Sequence, residues 1–400
     1  MRRWLLSSAF AAAMLASGSA RAQYQFRADA LVYTQNQSGT GYVALSGEDK
    51  VNAWAEGEAV LWAGNGSTAD ALVFLVKVHN PKKWAELRIG RQIISAGAVR
   101  PIHIDGADGR LRLPTGTTVE AFGGVPVVPQ FQYGAWDWLA GGRIGQQLGR
   151  LTTLGVSYLQ QRDYGRIAYE EVGMDFASNP TRWFDVASHA AYSLVTPGLS
   201  EARVSLAGRF GNVRPELFAI HRSPSRLLPA TSLFSALGDA PSDSAGATLY
   251  WKMFPRLDVV PIVAVRSQDD MTGVDATFRT TLRFDDNGRG AVTVDLRRQG
   301  SGTDPWSGVR VAVRIPIARR WQASTEVELV VPDNDSPDPG VRMVQKARGS
   351  LWPWGLVALR WSPLEHLEVA GGLEAASTPT NVREINALLR VTAMWGGGGT

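Results

Sequence analysis

Eleven ionisable side chains sit at alternate positions of otherwise apolar segments: Arg203, Arg209, Asp275, Arg279, Arg283, Asp295, Arg297, Arg310, Arg314, Glu326 and Glu328. On an extended chain, residues two apart share a face, so each set lines one side of its segment. Two kinds of chemistry are open to such a set. Fixed charges along a narrow aqueous passage enrich ions of opposite sign and so select what passes. The same charges can instead clasp one another across neighbouring strands and stiffen an interior. Arginine outnumbers acid in the set, which predicts weak anion selectivity that fades as salt screens the charges.

Catalytic arrangements are not legible. The chain has no G-x-S-x-G, no H-E-x-x-H and no glycine-rich phosphate loop leading into a helix. Its five histidines, His79, His103, His189, His221 and His366, lack metal-ligand spacing. His189 near Asp185 is the one pair compatible with a hydrolytic site at a rim, and a polar interior position explains it as well. The expectation is therefore a non-enzyme with no metal and no cofactor.

The segments that must position these charges are strands. From Val274 to Phe284, apolar residues alternate with Asp275, Thr277, Arg279, Thr281 and Arg283. Asp286-Asn287-Gly288 is a turn signal, and Val292, Val294 and Leu296 then alternate with Thr293, Asp295 and Arg297. This is a hairpin with one apolar and one charged face. The pattern recurs almost to the end of the chain, with strands about as long as the 9–11 residues that cross a bilayer. The fold expected is all-β, a transmembrane antiparallel up-and-down β-barrel of roughly 18 strands (16–20), an even number being usual. The apolar parity then faces lipid and the eleven charges face the lumen. Long connections or an inward-folded constriction are expected near residues 93–137, where Gly123, Pro126 and Pro129 interrupt the alternation, and again at 223–243. The acidic, proline-containing stretch 333–340 is expected to be exposed.

Composition agrees. A mean hydropathy of −0.10 suits a wall whose alternate residues face water, and 14 tryptophans suit a bilayer interface. Arg2-Arg3, an apolar run from Trp4 to Leu15 and Ala20-Arg21-Ala22 form the layout of a secretory signal peptide cleaved after Ala22. Residues 23–400 are then one barrel domain. The net charge of +4 includes Arg2, Arg3 and Arg21, leaving +1 beyond residue 22, so the basic pI does not imply a nucleic-acid partner. With no cysteine, disulfides, thiolate metal sites and a lipoprotein anchor are excluded.

Two resemblances add to this. Leu389, Val391, Ala393 and Trp395 alternate toward an aromatic and resemble the C-terminal assembly signal of outer-membrane barrels, although Gly396 to Thr400 follow it. Leu87-Arg88-Ile89-Gly90-Arg91-Gln92, followed by Asp105-Gly106, resembles the early strands of the alginate-export family and its porin-like relatives. That resemblance covers about 25 residues, and Gly-Arg-Gln also occurs in nutrient porins of related build. It implies a Gram-negative outer-membrane barrel that lets an exopolysaccharide out, with periplasmic polysaccharide-export proteins as partners. Outer-membrane lipid, lipopolysaccharide and the barrel assembly machinery complete the expected partners. The mixed signs of the lining leave two alternatives open: a general or substrate-specific diffusion porin for small nutrients, and a plugged structural or rim-enzyme barrel.

Overall fold

Period-two alternation lets a strand show hydrocarbon one face and water the other, and strand after strand here obeys it. The structure, a computed structural model, describes residues 23–35, 38–52, 54–64, 68–127, 137–223, 241–268, 271–285, 288–301, 305–333, 351–377 and 384–397. The first eleven strands are β1 (Gln23–Gln35), β2 (Ser38–Asn52), β3 (Ala55–Gly64), β4 (Thr68–His79), β5 (Ala85–Ile94), β6 (Ile102–Arg112), β7 (Thr117–Pro126), β8 (Leu139–Leu148), β9 (Thr152–Asp163), β10 (Arg166–Thr181) and β11 (Phe184–Ser193). The other eleven are β12 (Gly198–Gly208), β13 (Val213–Arg222), β14 (Ser242–Phe254), β15 (Leu257–Gln268), β16 (Met271–Arg283), β17 (Ala291–Gln299), β18 (Trp306–Ala318), β19 (Trp321–Pro332), β20 (Trp352–Leu364), β21 (Leu367–Ala376) and β22 (Glu384–Gly397).

Each strand pairs antiparallel with its sequence neighbours, and β22 returns to β1 in the register Tyr24↔Gly397 through Tyr33↔Leu388. The ladder closes. Closure leaves no edge strand, which is how a sheet satisfies its backbone N–H and C=O groups in hydrocarbon. Asp29 clasps the seam: its carboxylate accepts from Thr392 Oγ1 at 2.6 Å, from Arg390 Nη2 at 2.8 Å and from Arg27 Nε at 2.6 Å.

Val274, Phe278 and Leu282 on β16, Leu296 on β17, Val311 and Ile315 on β18 and Val327 on β19 are exposed on the outer face. The two ends of the barrel differ. At the end where β1 begins and β22 finishes, the connections run two to seven residues; at the other they reach nineteen, at 223–241 and 333–351. Exposed aromatics crowd the short-turn end: Trp54, Trp84, Trp183, Phe254, Trp321, Trp361 and Trp395. Trp321 stacks on Trp361 at 5.4 Å, and Phe26 on Trp395 at 6.3 Å. Such a ring of aromatics marks a bilayer interface.

The strand number corrects the sequence-based expectation: twenty-two, outside the range of 16–20. The three strands missed are β2, β6 and β7, and glycine is the reason in each. It reads as a turn residue, yet here it serves close approach. A Cβ on Gly47 of β2 would lie 2.7 Å from the Phe26 ring that covers it. A Cβ on Gly106 of β6 would lie 2.1 Å from the Gly123 carbonyl oxygen, and one on Gly124 of β7 would lie 2.4 Å from that of Asp105. Residues 102–112 and 117–126 are thus wall rather than connection. Residues 1–22, 128–136, 224–240 and 334–350, on which the signal peptide, much of the long-connection regions and most of the acidic stretch fall, lie outside the described residues.

Candidate functional site: the lumen wall and its inward-folded connection

The connection between β5 and β6, residues 95–101, turns inward. Ala96, Ala98, Val99 and Arg100 are almost fully buried. Ala96 and Val99 pack with Ile94, Ile102, Ile104, Phe122, Leu139, Leu159 and Tyr169, an apolar cluster on the inner side of β5 to β10. Phe122, Leu139, Leu159 and Tyr169 have the inward parity of their strands, since Ile144, Val156, Val172 and Met174 are the exposed outward residues. The connection is tied down by polar contacts as well. The Arg100 amide donates to Glu171 Oε2 at 3.1 Å, and the Arg100 guanidinium lies over the Tyr169 ring at 3.4 Å. Ser200, the extra residue of a bulge in β12, donates its hydroxyl to Glu171 Oε1 at 2.6 Å. Gly97 has φ +64°, and a Cβ there would lie 2.5 Å from Asp175 Oδ1, so only glycine passes over the Arg143–Asp175 ion pair.

Beside this connection the inner wall forms a cavity of about 690 Å³, lined by Arg110, Arg112, Glu120, Arg143, Asp175, His189 and Arg203. Arg143 donates to Asp175 through Nε at 2.9 Å and Nη2 at 2.6 Å, and Arg110 to Glu120 at 3.0 Å. Arg203 makes no ion pair among the described residues. His189 Nε2 lies 3.2 Å from Glu201, whereas Asp185 accepts from Arg209 at 2.8 Å. His189 and Asp185 are therefore not a pair. Among the described residues no group of three or more histidine or carboxylate side chains is placed to hold a metal.

The remaining predicted lining residues sit across β16 to β19, on the parity opposite to the exposed apolar side chains. Six of them, Arg279, Asp295, Arg297, Arg310, Glu326 and Glu328, form a connected set of ion pairs. Asp295, 1 % exposed, accepts from Arg279 at 2.7 Å and from Arg297 at 3.3 Å, with Arg310 at 3.7 Å. Arg297 reaches Glu328 at 3.0 Å, and Arg310 reaches Glu326 at 2.5 Å. Arg283 pairs with Asp258 of β15, and Arg266 with Asp275 at 3.5 Å. Asp275 also accepts from Ser301 and from the Gly300 amide. Arg314 donates to the Gly288 carbonyl instead of to a carboxylate. Each acid is the cross-strand neighbour of an arginine or one strand further on, which is the spacing at which opposite charges meet on a sheet face. At the rim beyond β19, the Arg298 guanidinium donates to Asp333 and holds it below the usual carboxylate range.

The Gly90-Arg91-Gln92 and Asp105-Gly106 pieces face one another across β5 and β6, with Gly90↔Gly106 and Arg91↔Asp105 as partners. Asp105-Gly106 is thus in a strand, which corrects the expectation from sequence that it lies in a loop. Arg91, on the outward parity with Leu87 and Ile89, forks onto Asp105 at 2.7 Å and reaches Asp70 at 2.5 Å. Gln92 points inward and is 1 % exposed. These five residues fasten three strands together and do not line the cavity.

Sequence reasoning did not select Arg110, Arg112, Glu120, Arg143 or Asp175. Arg110, Arg112 and Glu120 belong to the two strands read as connection. Their signal was present in the alternation of Asp108, Arg110 and Arg112 with Gly109 and Leu111.

No family model matches the sequence, and no match was found among curated proteins. Solved structures do resemble the fold. The P pilus usher PapC translocation pore superimposes with a TM-score of 0.52 at 10% identity, over 94% of this chain and 100% of that one. The same usher in an E. coli P pilus tip assembly intermediate, PapC-PapD-PapK-PapG, gives 0.53 at 10% identity, over 94% and 61%. Pseudomonas aeruginosa OccK11 gives 0.43 at 11% identity, over 94% and 96%. The likeness to the usher shows the fold, a closed antiparallel β-barrel, and that neighbour is a translocation pore.

Proposed function

We propose that the chain is a pore of a Gram-negative outer membrane through which hydrophilic solutes diffuse. The observation that carries this reading is the closed twenty-two-strand ladder, apolar and aromatic outside and ionised along its inner wall. At ordinary strand spacing and tilt such a ladder encloses a circumference of roughly 140 Å. Wall side chains fill an eight-stranded barrel but not one of this width. Barrels this large often hold a plug; here the piece of described chain against the inner wall is the 95–101 connection, which narrows one side. The usher barrel, which shares the fold, is a translocation pore, so passage through this architecture has precedent.

Because most lumen arginines are clasped to acids, the wall is hydrophilic without a strong fixed charge. That favours small solutes of either sign over a polyanion. Export of a secreted polysaccharide, with periplasmic export partners, is the narrower second reading, supported by the width and the arginine content of the wall. Lipid and lipopolysaccharide would contact the outer face, and the assembly machinery would insert it.

Proteoliposome swelling tests the proposal. Swelling in arabinose that slows in raffinose and again in stachyose supports a diffusion pore. Release of an entrapped fluorescent dextran supports the wider polysaccharide reading. Swelling no faster than in protein-free liposomes contradicts both.

A further inference from the structure

The short-turn rim carries a second concentration of charge that the lumen argument does not use. The connections β16–β17 and β18–β19 bring Arg289, Arg319 and Arg320 together with Arg314 of β18 and Arg360 of β20 around a cavity of about 310 Å³. Only Arg360 has a carboxylate partner in the described structure, Glu368 at 2.5 Å. Two of the others are held by backbone: Arg314 donates to the Gly288 carbonyl at 2.9 Å, and Arg289 to the Arg319 carbonyl at 3.2 Å. Gln322 fixes the same turn by donating to the Arg289 carbonyl at 2.9 Å. The Asp285 carboxylate accepts from the Arg289 amide at 2.7 Å, which spends it on the turn. Five arginines thus line one small space, and no acidic residue is among its described lining.

Crowding like charges costs free energy that these contacts do not repay, whereas Arg110, Arg143, Arg279, Arg297 and Arg310 of the inner wall each meet an acid. Guanidinium groups present planar forks of donors suited to phosphate oxygens, and several converging on one space suit an anion of more than one charge. The cavity admits a phosphate group and not a folded partner. The stacked Trp321 and Trp361 stand beside it, at the level where a bilayer's headgroups lie.

We propose that Arg289, Arg314, Arg319 and Arg320 form a binding site for a phosphate-bearing anion at the short-turn mouth of the barrel. The phosphate comes either from a water-borne solute or from a lipid headgroup. This goes beyond the pore reading and does not depend on conduction.

The test is calorimetric titration of inorganic pyrophosphate into the full-length folded barrel in an uncharged detergent at low salt. Saturable one-to-one binding is expected. Arg319→Gln with Arg320→Gln should weaken it at least tenfold, while Arg166→Gln with Arg298→Gln, an equal charge change at the other end, should leave it within twofold. A retained heat-dependent gel shift shows that each variant is folded. Should a variant not fold, single Arg319→Lys and Arg320→Lys replacements, which keep charge and lose the fork, should still weaken binding. Repeating the titration in phosphatidylcholine nanodiscs with and without phosphatidylglycerol separates the sources. Competition by the anionic lipid assigns the site to a headgroup, and undiminished binding assigns it to a solute. Absence of saturable binding, or equal weakening by both double variants, overturns the proposal.

Discussion

Asp295 shows how much one side chain sets in this lumen. Three arginines from β16, β17 and β18 converge on a carboxylate that is 1 % exposed, and two of them, Arg297 and Arg310, reach on to Glu328 and Glu326. Asp295→Asn keeps the shape and removes the charge that balances them. Loss of one charge-assisted contact to a buried carboxylate is expected to cost about 2 kcal/mol, tempered because the arginines are themselves part-exposed. Urea titration in lipid vesicles measures it. The same change adds net positive charge to the wall, so the reversal potential across a salt gradient should move toward the anion value. A shift toward cations would show that these arginines do not face the conducting path. The inward parity of such residues was legible from the hairpin itself, because alternation carries through an uninterrupted strand. Their partners were not legible. Arg283–Asp258 depends on the β15–β16 register, and Arg297–Glu328 spans two strands, neither of which any local pattern encodes.

Strands carry the next set of expectations. On β16, Phe278 and Leu282 face outward, about 46 and 44% exposed, and Thr277 faces in. Phe278→Arg near the bilayer midplane should destabilise the barrel by roughly 2–4 kcal/mol, and Thr277→Arg should cost far less. Equal losses at the two positions would mean that lipid does not lie against the apolar face. The connection 95–101 is the element whose shape the sequence announced only as a failure of alternation. Gly97→Val forces a left-handed residue to carry a branched side chain into Arg143 and Asp175. It should lift the connection from the wall and raise single-channel conductance; an unchanged value would show that the connection does not narrow the pore. The missed strand β2 has a glycine, Gly47, covered by the Phe26 ring, and the missed strands β6 and β7 share one physical cause. Glycine marks a turn when its φ is positive or its neighbours are polar, yet Gly106, Gly123 and Gly124 stand where one backbone presses on the next. Close approach between strands is a tertiary fact, and single-sequence alternation does not contain it.

At the scale of the molecule, the closed ladder explains why the fold class could be read while the strand number could not. Each strand declares its own two faces, but the count depends on every marginal segment. Closure predicts that the folded protein migrates faster than the boiled one on a gel and fractionates with the outer membrane. Asp29→Ala, which unclasps the β1–β22 seam, should lower the temperature at which that shift is lost. The central claim is that water and ions pass through the lumen. Purified, refolded protein in a planar lipid bilayer tests it most directly, with chloride and potassium on the two sides of a salt gradient. The account predicts stepwise conductance, a weak ion preference that fades at high salt, and a larger step for Gly97→Val. Silence from both the native chain and that variant, in a preparation that shows the heat-dependent gel shift, would contradict it.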